Sequence, residues 1–350
     1  MELSALPRPR VGRFQTVALR TVLGLAAGAV LILAFLRLVN VSAVLRRLTH
    51  LSIGFALICG LTFLAAYAVR ALRWRILLRP DKVSIPCVVE IYQVGTFLNW
   101  LLPVRGGEVA MSILLRRSTG IPVSRSLAAV TMDKGMDLLS VIVLVALLPV
   151  MHLQLSGALL TLLLLALALV VFSAIVIALA AYRRERALGL LTRPVSAVLP
   201  RAIRDRIEPF VVQFVDTLAG LIRRPRLLSV AAAYTAVALS LDGLFCLLAF
   251  KAVGMNLSVS VALYGYTFYN LSFILPSPPG QIGSNELVGL LIFSGLFGLN
   301  RAGVGAMFLF SHPWTAIVMT GGALVSLSLL GLSLRRTVSM APVRSGGQDI

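Results

Sequence analysis

Long apolar runs alternate with short polar connections along most of the chain. A helix needs about 20 apolar residues to cross a bilayer, and in lipid it satisfies all of its own backbone groups. The runs that meet this length are 17–39, 51–72, 124–150, 157–182, 227–252 and 302–334. The pattern predicts an all-α fold, a polytopic transmembrane helical bundle that forms a single integral membrane domain over residues 1–350.

Two further apolar segments, 85–122 and 258–300, are broken by proline, glycine and charged residues. Proline cannot continue a helix, and a broken helix leaves backbone groups unpaired. Such backbone must lie outside the hydrocarbon or line a cavity within the protein. The residues predicted to form the tips of the two breaks are Pro103, Gly106, Gly107, Pro276, Pro278, Pro279, Gly280 and Gly283.

The two broken segments share an order of residues. Each has a tyrosine, a Thr-Phe pair, an asparagine (Asn99, Asn270), a Leu-Pro pair, glycines and then a glutamate (Glu108, Glu286). This order predicts an internal repeat, with repeat 1 over about 51–150 and repeat 2 over about 227–334. A single span, 157–182, joins them and turns the second repeat over. Inverted repeats with broken helices are typical of transporters, in which the broken tips meet near mid-membrane.

The charge pattern predicts which loops face the cytoplasm. The chain carries 32 Lys+Arg against 13 Asp+Glu, a net charge of +19. The arginines lie beside apolar runs, which indicates the positive-inside rule and an anionic lipid surface rather than nucleic acid. The protein is therefore expected in the inner or plasma membrane of the cell. Both termini and segment 183–226 are expected on the cytoplasmic side. Connections 151–156 and 253–258 are expected outside.

With these assignments, segment 85–122 enters the membrane from the cytoplasm and returns to the cytoplasm. Segment 258–300 enters the membrane from the outside and returns to the outside. Each segment is then a re-entrant hairpin or a pair of adjacent short spans. Three arginines, Arg37, Arg46 and Arg47, fall in a loop assigned to the outside, which an interfacial helix would explain. The segment 183–226 carries ten arginines and an apolar repeat, which predicts an amphipathic helix on the cytoplasmic leaflet.

Ionisable groups within membrane segments are costly and are candidates for function. Asp133 and Asp137 lie one helical turn apart and share a face, whereas Lys134 points about 100° away toward a neighbouring helix. Alternatively, these three residues lie at the start of a helix at the membrane interface and have no role in function. Glu286 is expected to pair with a distant arginine or a cationic headgroup. The candidates for the substrate path are Asn99, Arg105, Glu108, Asp133, Lys134, Asp137, Asn270 and Glu286.

Other charged groups have less specific expectations. Arg105 and Glu108 are expected to neutralise each other in the first tip, unless that tip is the wet mouth of a hairpin. Asp242 lies well inside a span. Contacts with lipid headgroups are expected of Arg70, Arg73 and Arg75, whose long side chains reach the interface by snorkelling. The scattered cysteines show no ligand spacing, so neither a metal nor another cofactor is expected.

Four motifs, RALRWRILL, NWLLPVRGGE, AAVTMDKGMD and LPSPPGQIGSNE, resemble the transmembrane domain of lysylphosphatidylglycerol synthases over about residues 15–335. The resemblance implies movement of a lipid across the membrane. The synthases carry a separate soluble domain that makes their lipid, for which the chain to Ile350 is expected to have no room. Met111 stands where the family often has an arginine. His312, in the run SHPW, occupies a second such position and joins the substrate-path candidates.

Three functions remain open. The first is a transporter or flippase for a phospholipid, another polar lipid or an isoprenoid lipid. The second is an enzyme acting on lipid headgroups, with Glu108, Asp133 and Glu286 as acid and base. No Walker A loop or nucleophile elbow is present, so an enzyme is not expected. The third is a scaffold subunit of a lipid- or envelope-synthesis complex, which would bind a lipid-synthesis enzyme.

Overall fold

The computed structural model describes residues 11–102, 106–151, 157–183, 185, 201–272 and 277–332. The helices are α1 (Val11–Leu38), α2 (Val41–Thr49), α3 (Ile53–Leu77), α4 (Ile85–Leu101), α5 (Gly107–Thr119), α6 (Val123–Met151), α7 (Gly157–Tyr182), α8 (Arg201–Ile222), α9 (Pro225–Ala252), α10 (Val259–Ser272), α11 (Ser284–Leu290) and α12 (Arg301–Leu329). A short 3-10 turn, Pro279–Gln281, precedes α11, and a π-type turn, Leu291–Leu296, follows it.

Helices occupy all six predicted runs, which confirms a polytopic helical bundle. Three of them, α3, α9 and α12, are long and apolar enough to cross a membrane by length and composition, and the bent pair α1–α2 would be a fourth. The last run was predicted to reach 334, but α12 ends at Leu329. It ends there because Gly331 turns into the left-handed region at φ +65°.

The outer surface of the bundle carries large apolar side chains. Leu23, Leu61, Phe172 and Leu329 are each at least 60% exposed. A water-soluble domain rarely exposes so many large apolar side chains. These side chains are placed to contact lipid tails.

Helices α3 and α9, the first helices of the two proposed repeats, run antiparallel. At one end the Ser52 amide donates to the Ala252 carbonyl over 2.9 Å. At the other end the Arg224 guanidinium donates to the Arg79 carbonyl over 3.2 Å. Equivalent helices of inverted repeats must run in opposite directions, so this pairing is the arrangement that inversion requires.

Among the described residues, loops assigned to one side of the membrane lie at the same end of the bundle, whereas residues 152–156 lie outside the described part. Arg47 donates to the Val253 carbonyl over 3.2 Å, which brings α2 to the connection 253–258. Arg125, at the start of α6, pairs at 3.0 Å with Asp81, in the loop before α4. The loop assigned to the outside despite its arginines, Arg46 and Arg47, does form a helix, α2, which is bent by 91° from α1. Its place at the membrane interface stays a prediction.

The orientation can be checked by cysteine labelling. In a background with Cys59, Cys87 and Cys246 replaced, a cysteine at exposed Asn256 should react with an impermeant maleimide from outside intact cells. A cysteine at exposed Ser118, in the last turn of α5, should react only after the cells are opened. Labelling of both positions from the same side would contradict the inverted arrangement.

The first broken segment folds as a hairpin of α4 and α5. The 13 residues of α5 span about 20 Å, too little to cross a core of about 30 Å. The segment also begins and ends at one end of the bundle, since Arg125 just after it pairs with Asp81 just before it. The two legs pack closely at Gly95 and Gly107, where a Cβ on Gly107 would lie 2.0 Å from the Gly95 carbonyl oxygen.

Replacing Gly107 with alanine should therefore force the two legs apart. The obstructing atom belongs to the backbone, which cannot move away as a side chain can. We therefore expect the free energy of unfolding to fall by about 1–3 kcal/mol. Thermal unfolding of the purified protein in detergent measures it. The matched control is Gly54→Ala in α3, where no atom lies within 4 Å of the added Cβ. Equal melting temperatures for the two variants would refute the close packing of the legs.

The second broken segment is covered by α1, a contact that the sequence patterns did not predict. Gly24 lies against Pro279 and Gly28 against the Ile282 carbonyl, with 2.8 and 3.1 Å between those atoms and an added Cβ. Gly283 in turn sits against the backbone of α1 and has φ +78°. The small residues of α1 thus let its backbone seal the second break.

Two apolar cores flank the middle of the bundle. One joins α10, α11 and the start of α12 with the ends of α1 and α9, around Tyr264, Phe293 and Phe308. The other joins α4, α5 and the start of α6 with the end of α3, around Trp74 and Tyr92. Each broken segment therefore has its own core, and the polar groups collect between the two.

Candidate functional site, a polar cavity between the two breaks

The two breaks approach each other beside the middle of α12. Trp100, in the last turn of α4, donates through its indole N–H to His312 Nε2 over 3.5 Å. The same ring lies against Gly280 of the second break, 3.5 Å from an added Cβ. Three predicted residues of this region, Pro103, Arg105 and Pro276, lie outside the described residues.

A cavity of about 310 Å³ opens between the breaks. Its walls use matched residues of the two repeats: Thr96 and Thr267 of the Thr-Phe pairs, and Asn99 and Asn270. Pockets of this size hold small ligands or polar headgroups. The charged and titratable residues with atoms on the cavity wall include Arg70, Glu108, Lys134, Asp137, Asp242 and His312.

Asn99 ties the two legs of the first hairpin together. Its Oδ1 accepts from the Gly107 amide at the start of α5 over 2.8 Å. Its Nδ2 donates to Glu108 Oε1, also over 2.8 Å. Asn99 thus satisfies a free amide of the helix start and orients the Glu108 carboxylate on the cavity wall. Asn270 has a different role, since its Nδ2 contacts Asp242 Oδ2 at 3.4 Å.

Behind the cavity, Arg73 binds two carboxylates. It donates to Asp133 and Asp137 over 2.7 Å each and to Thr235 over 2.9 Å. Tyr92 donates to the second oxygen of Asp133 over 3.1 Å. Charged groups this deep persist only when they are paired and hydrogen-bonded, and this network joins α3, α4, α6 and α9.

The expected headgroup contact is therefore wrong for Arg73. Its side chain has no exposed surface, because this face of α3 packs against α6 and α9 instead of lipid. The predicted shared face of Asp133 and Asp137 is correct, since both bind the one guanidinium. Arg75 donates to the Val83 carbonyl over 2.6 Å, and its headgroup contact stays a prediction.

Arg70 forms the second ion pair of the wall. It binds both oxygens of Asp242, at 3.2 and 2.5 Å, and approaches Asp137 at 3.8 Å. Such a two-pronged contact fixes the carboxylate strongly. Arg70 therefore faces the cavity rather than an outer headgroup layer. Asp242, which the sequence marked only as a charge inside a span, is its partner across the two repeats.

Lys134 reaches a neighbouring helix, as its position on α6 predicted. Its Nζ lies 5.7 Å above the Tyr92 ring of α4. It also lies 3.9 Å from Asp137 Oδ2. With its side chain 45% exposed, Lys134 presents a cation to the cavity.

Glu286 pairs with His312 rather than with the distant arginine or cationic headgroup expected from the sequence. His312 Nδ1 lies 2.5 Å from Glu286 Oε1. The other oxygen of Glu286 accepts from the Gly283 amide over 2.8 Å, which fixes the carboxylate at the start of α11. The pair is 26 residues apart and on different helices, so no local pattern indicates it.

Two buried groups on the cavity wall are without a hydrogen-bond partner in the part of the chain that the structure describes. They are Asn285 Oδ1 and Thr267 Oγ1, whose residues are each 5% exposed. Buried polar groups are rarely left unpaired, and such exceptions often mark ligand or water positions. The cavity thus offers acceptors from Asn285 and Glu108 and cations from Arg70 and Lys134 on its wall.

The sequence profile of the family described as lysylphosphatidylglycerol synthase TM region matches residues 21–333, nearly the whole chain. No curated protein matches at a significant level.

Proposed function

Because the chain belongs to the lysylphosphatidylglycerol synthase transmembrane family, and is therefore a membrane protein tied to lipid metabolism or transport, we propose that it moves a polar or isoprenoid lipid between the leaflets of the cell membrane. The observation that carries the proposal is one cavity with charged and amide side chains from both repeats on its wall, where the two broken segments meet. A lipid headgroup would be sheltered there while its tails remain in the bilayer.

The physical need for such a cavity is large. A charged headgroup in hydrocarbon is as costly as a buried charged side chain, unless polar partners replace water. The wall supplies both kinds of partner: carboxylate and amide oxygens for hydroxyl or amine groups, and Arg70 and Lys134 for a phosphate. The ion pair Arg70–Asp242 also compensates part of the charge on the wall.

The geometry favours transport over headgroup chemistry. Asp133, one of three candidate acid–base groups, has both oxygens bonded to Arg73 and Tyr92 and is fully buried. A general base must reach the proton that it abstracts, and this carboxylate does not. We therefore propose a non-enzymatic role. From the arginines beside the apolar runs we also propose that both termini lie in the cytoplasm.

The test is a liposome assay with purified protein and no nucleotide. Phospholipids and isoprenoid lipids with labelled headgroups are placed in one leaflet, and their appearance in the other is followed by a membrane-impermeant quencher. We expect at least one lipid to cross faster than in protein-free liposomes, with its headgroup unchanged by mass spectrometry. A modified headgroup would support the enzyme instead, and no movement of any lipid would refute transport.

A further inference from the structure

His312 contacts two groups that make opposite demands on its ring nitrogen Nε2. The Gly280 carbonyl oxygen of the second break lies 2.9 Å from Nε2. A carbonyl oxygen only accepts hydrogen bonds, so this contact requires a proton on Nε2. The Trp100 indole N–H of the first break lies 3.5 Å from the same nitrogen. An indole N–H only donates, so that contact requires Nε2 without a proton.

The second ring nitrogen sets the number of protons. Nδ1 faces Glu286 Oε1 at 2.5 Å, and one proton must lie between these two atoms for the contact to be favourable. When Nε2 also bonds Gly280, the pair His312–Glu286 holds two protons. When Nε2 accepts from Trp100, the pair holds one. The two contacts of Nε2 therefore differ by one bound proton.

We propose that the His312–Glu286 pair is a proton-binding site that exchanges the contacts between the two breaks. With the extra proton bound, His312 holds the second break through Gly280. When that proton leaves Nε2 for water in the cavity, the charge of the pair falls by one, and Nε2 accepts from Trp100 of the first break. This inference deepens the proposed transport function and rests on it, since it makes the proton the ion coupled to lipid movement.

The burial and setting of the pair suit this role. His312 is 8% exposed and Glu286 4%, so bulk solvent does not reach them freely, yet the imidazole has surface on the cavity wall. The Gly283 amide holds Glu286 in place. Tyr269 on α10 interacts electrostatically with Glu286. The charged groups that share the cavity wall with His312 are Glu108 on α5, Arg70 on α3, Lys134 and Asp137 on α6, and Asp242 on α9.

Nitrogen-15 NMR of a protein with one histidine tests the site without any transport. Replacing His50 and His152 with glutamine leaves His312 as the sole histidine of the three. In liposomes, Nε2 should be protonated at low pH and unprotonated at high pH. An Nε2 that keeps one protonation state over the whole pH range in which the protein stays folded would overturn the proposal.

Two variants should move this titration in opposite directions. Trp100→Phe removes the donor to unprotonated Nε2, so the midpoint should rise by roughly half to one pH unit. Glu286→Gln removes the anion beside the ring, so the midpoint should fall by at least as much. The matched control is Trp314→Phe, whose indole packs against Gly60 and should leave the midpoint unchanged. An unchanged midpoint in Trp100→Phe would overturn the exchange of contacts.

A final arm separates this inference from the proposed function. A pH gradient is applied to liposomes in which the wild-type protein translocates a labelled lipid, and the internal pH is followed with a trapped dye. We expect the rate to change several-fold with the gradient, and His312→Gln to abolish that response. A translocation rate that ignores the gradient would overturn proton coupling and leave transport standing. Absence of translocation, with the NMR titration intact, would refute transport and leave the proton site standing.

Discussion

Replacing Arg73 with methionine should remove most of the folded protein. Asp133 would remain fully buried with only the Tyr92 hydroxyl as a partner. Removing one member of a buried ion pair costs about 3–5 kcal/mol, a large share of the roughly 5–15 kcal/mol that stabilises typical proteins. We expect a much lower yield from the membrane and a sharply lower melting temperature in detergent.

A second substitution shows whether the unpaired charge is the cause. Asp133→Asn added to Arg73→Met should recover a large part of the loss, because Asp137 keeps Arg70 at 3.8 Å and Lys134 at 3.9 Å. The control is Arg75→Met on the same helix, which loses one hydrogen bond to a carbonyl and should cost about 1 kcal/mol. A single variant as stable as the control would contradict the buried network.

Replacing Glu108 with glutamine should slow lipid movement strongly and leave the fold intact. Glutamine has nearly the same shape, and its oxygen can still accept from Asn99, so the first hairpin keeps its tie. The change removes a negative charge from the cavity wall. A hydrogen bond to a charged group is worth about 1.5–3 kcal/mol, which corresponds to a loss of roughly 10- to 100-fold in rate.

The measurement is the translocation rate in liposomes with equal amounts of wild-type and variant protein. Glu90→Gln is the matched control, because Glu90 is a half-buried acid on α4 that is not among the residues lining the cavity. We expect unchanged melting temperatures for both variants and a lost rate only for Glu108→Gln. Normal transport by Glu108→Gln would remove this carboxylate from the mechanism.

Local signals explain why the helices and breaks were predictable. The length of an apolar run and the position of prolines and glycines act on the nearest residues, so 85–122 and 258–300 were recognised as broken from the sequence. The shared face of Asp133 and Asp137 follows from the helical period alone. The correspondence of Thr96 with Thr267 on the cavity wall follows from the repeat.

The partners of the charges were not predictable in this way, because they depend on which helix faces come together. An arginine near the end of an apolar run has the same local pattern whether it reaches lipid headgroups or a buried carboxylate, and only the packing of α3 against α6 decides this for Arg73. His312 and Glu286 meet through the path of the chain. A usable signal did exist for α1, whose Gly24 and Gly28 have the small-residue spacing of packed membrane helices.

One measurement tests directly whether the cavity is the lipid path. Thr96 lines it from α4, and a cysteine there, in protein without the native cysteines, can be modified with a bulky maleimide. The control is a cysteine at Val41 on α2, which is 43% exposed. With modification complete at both sites by mass spectrometry, we predict that translocation falls to the protein-free rate for the Thr96→Cys protein and is unchanged for Val41→Cys. Full transport by the modified Thr96→Cys protein would show that the lipid takes another route.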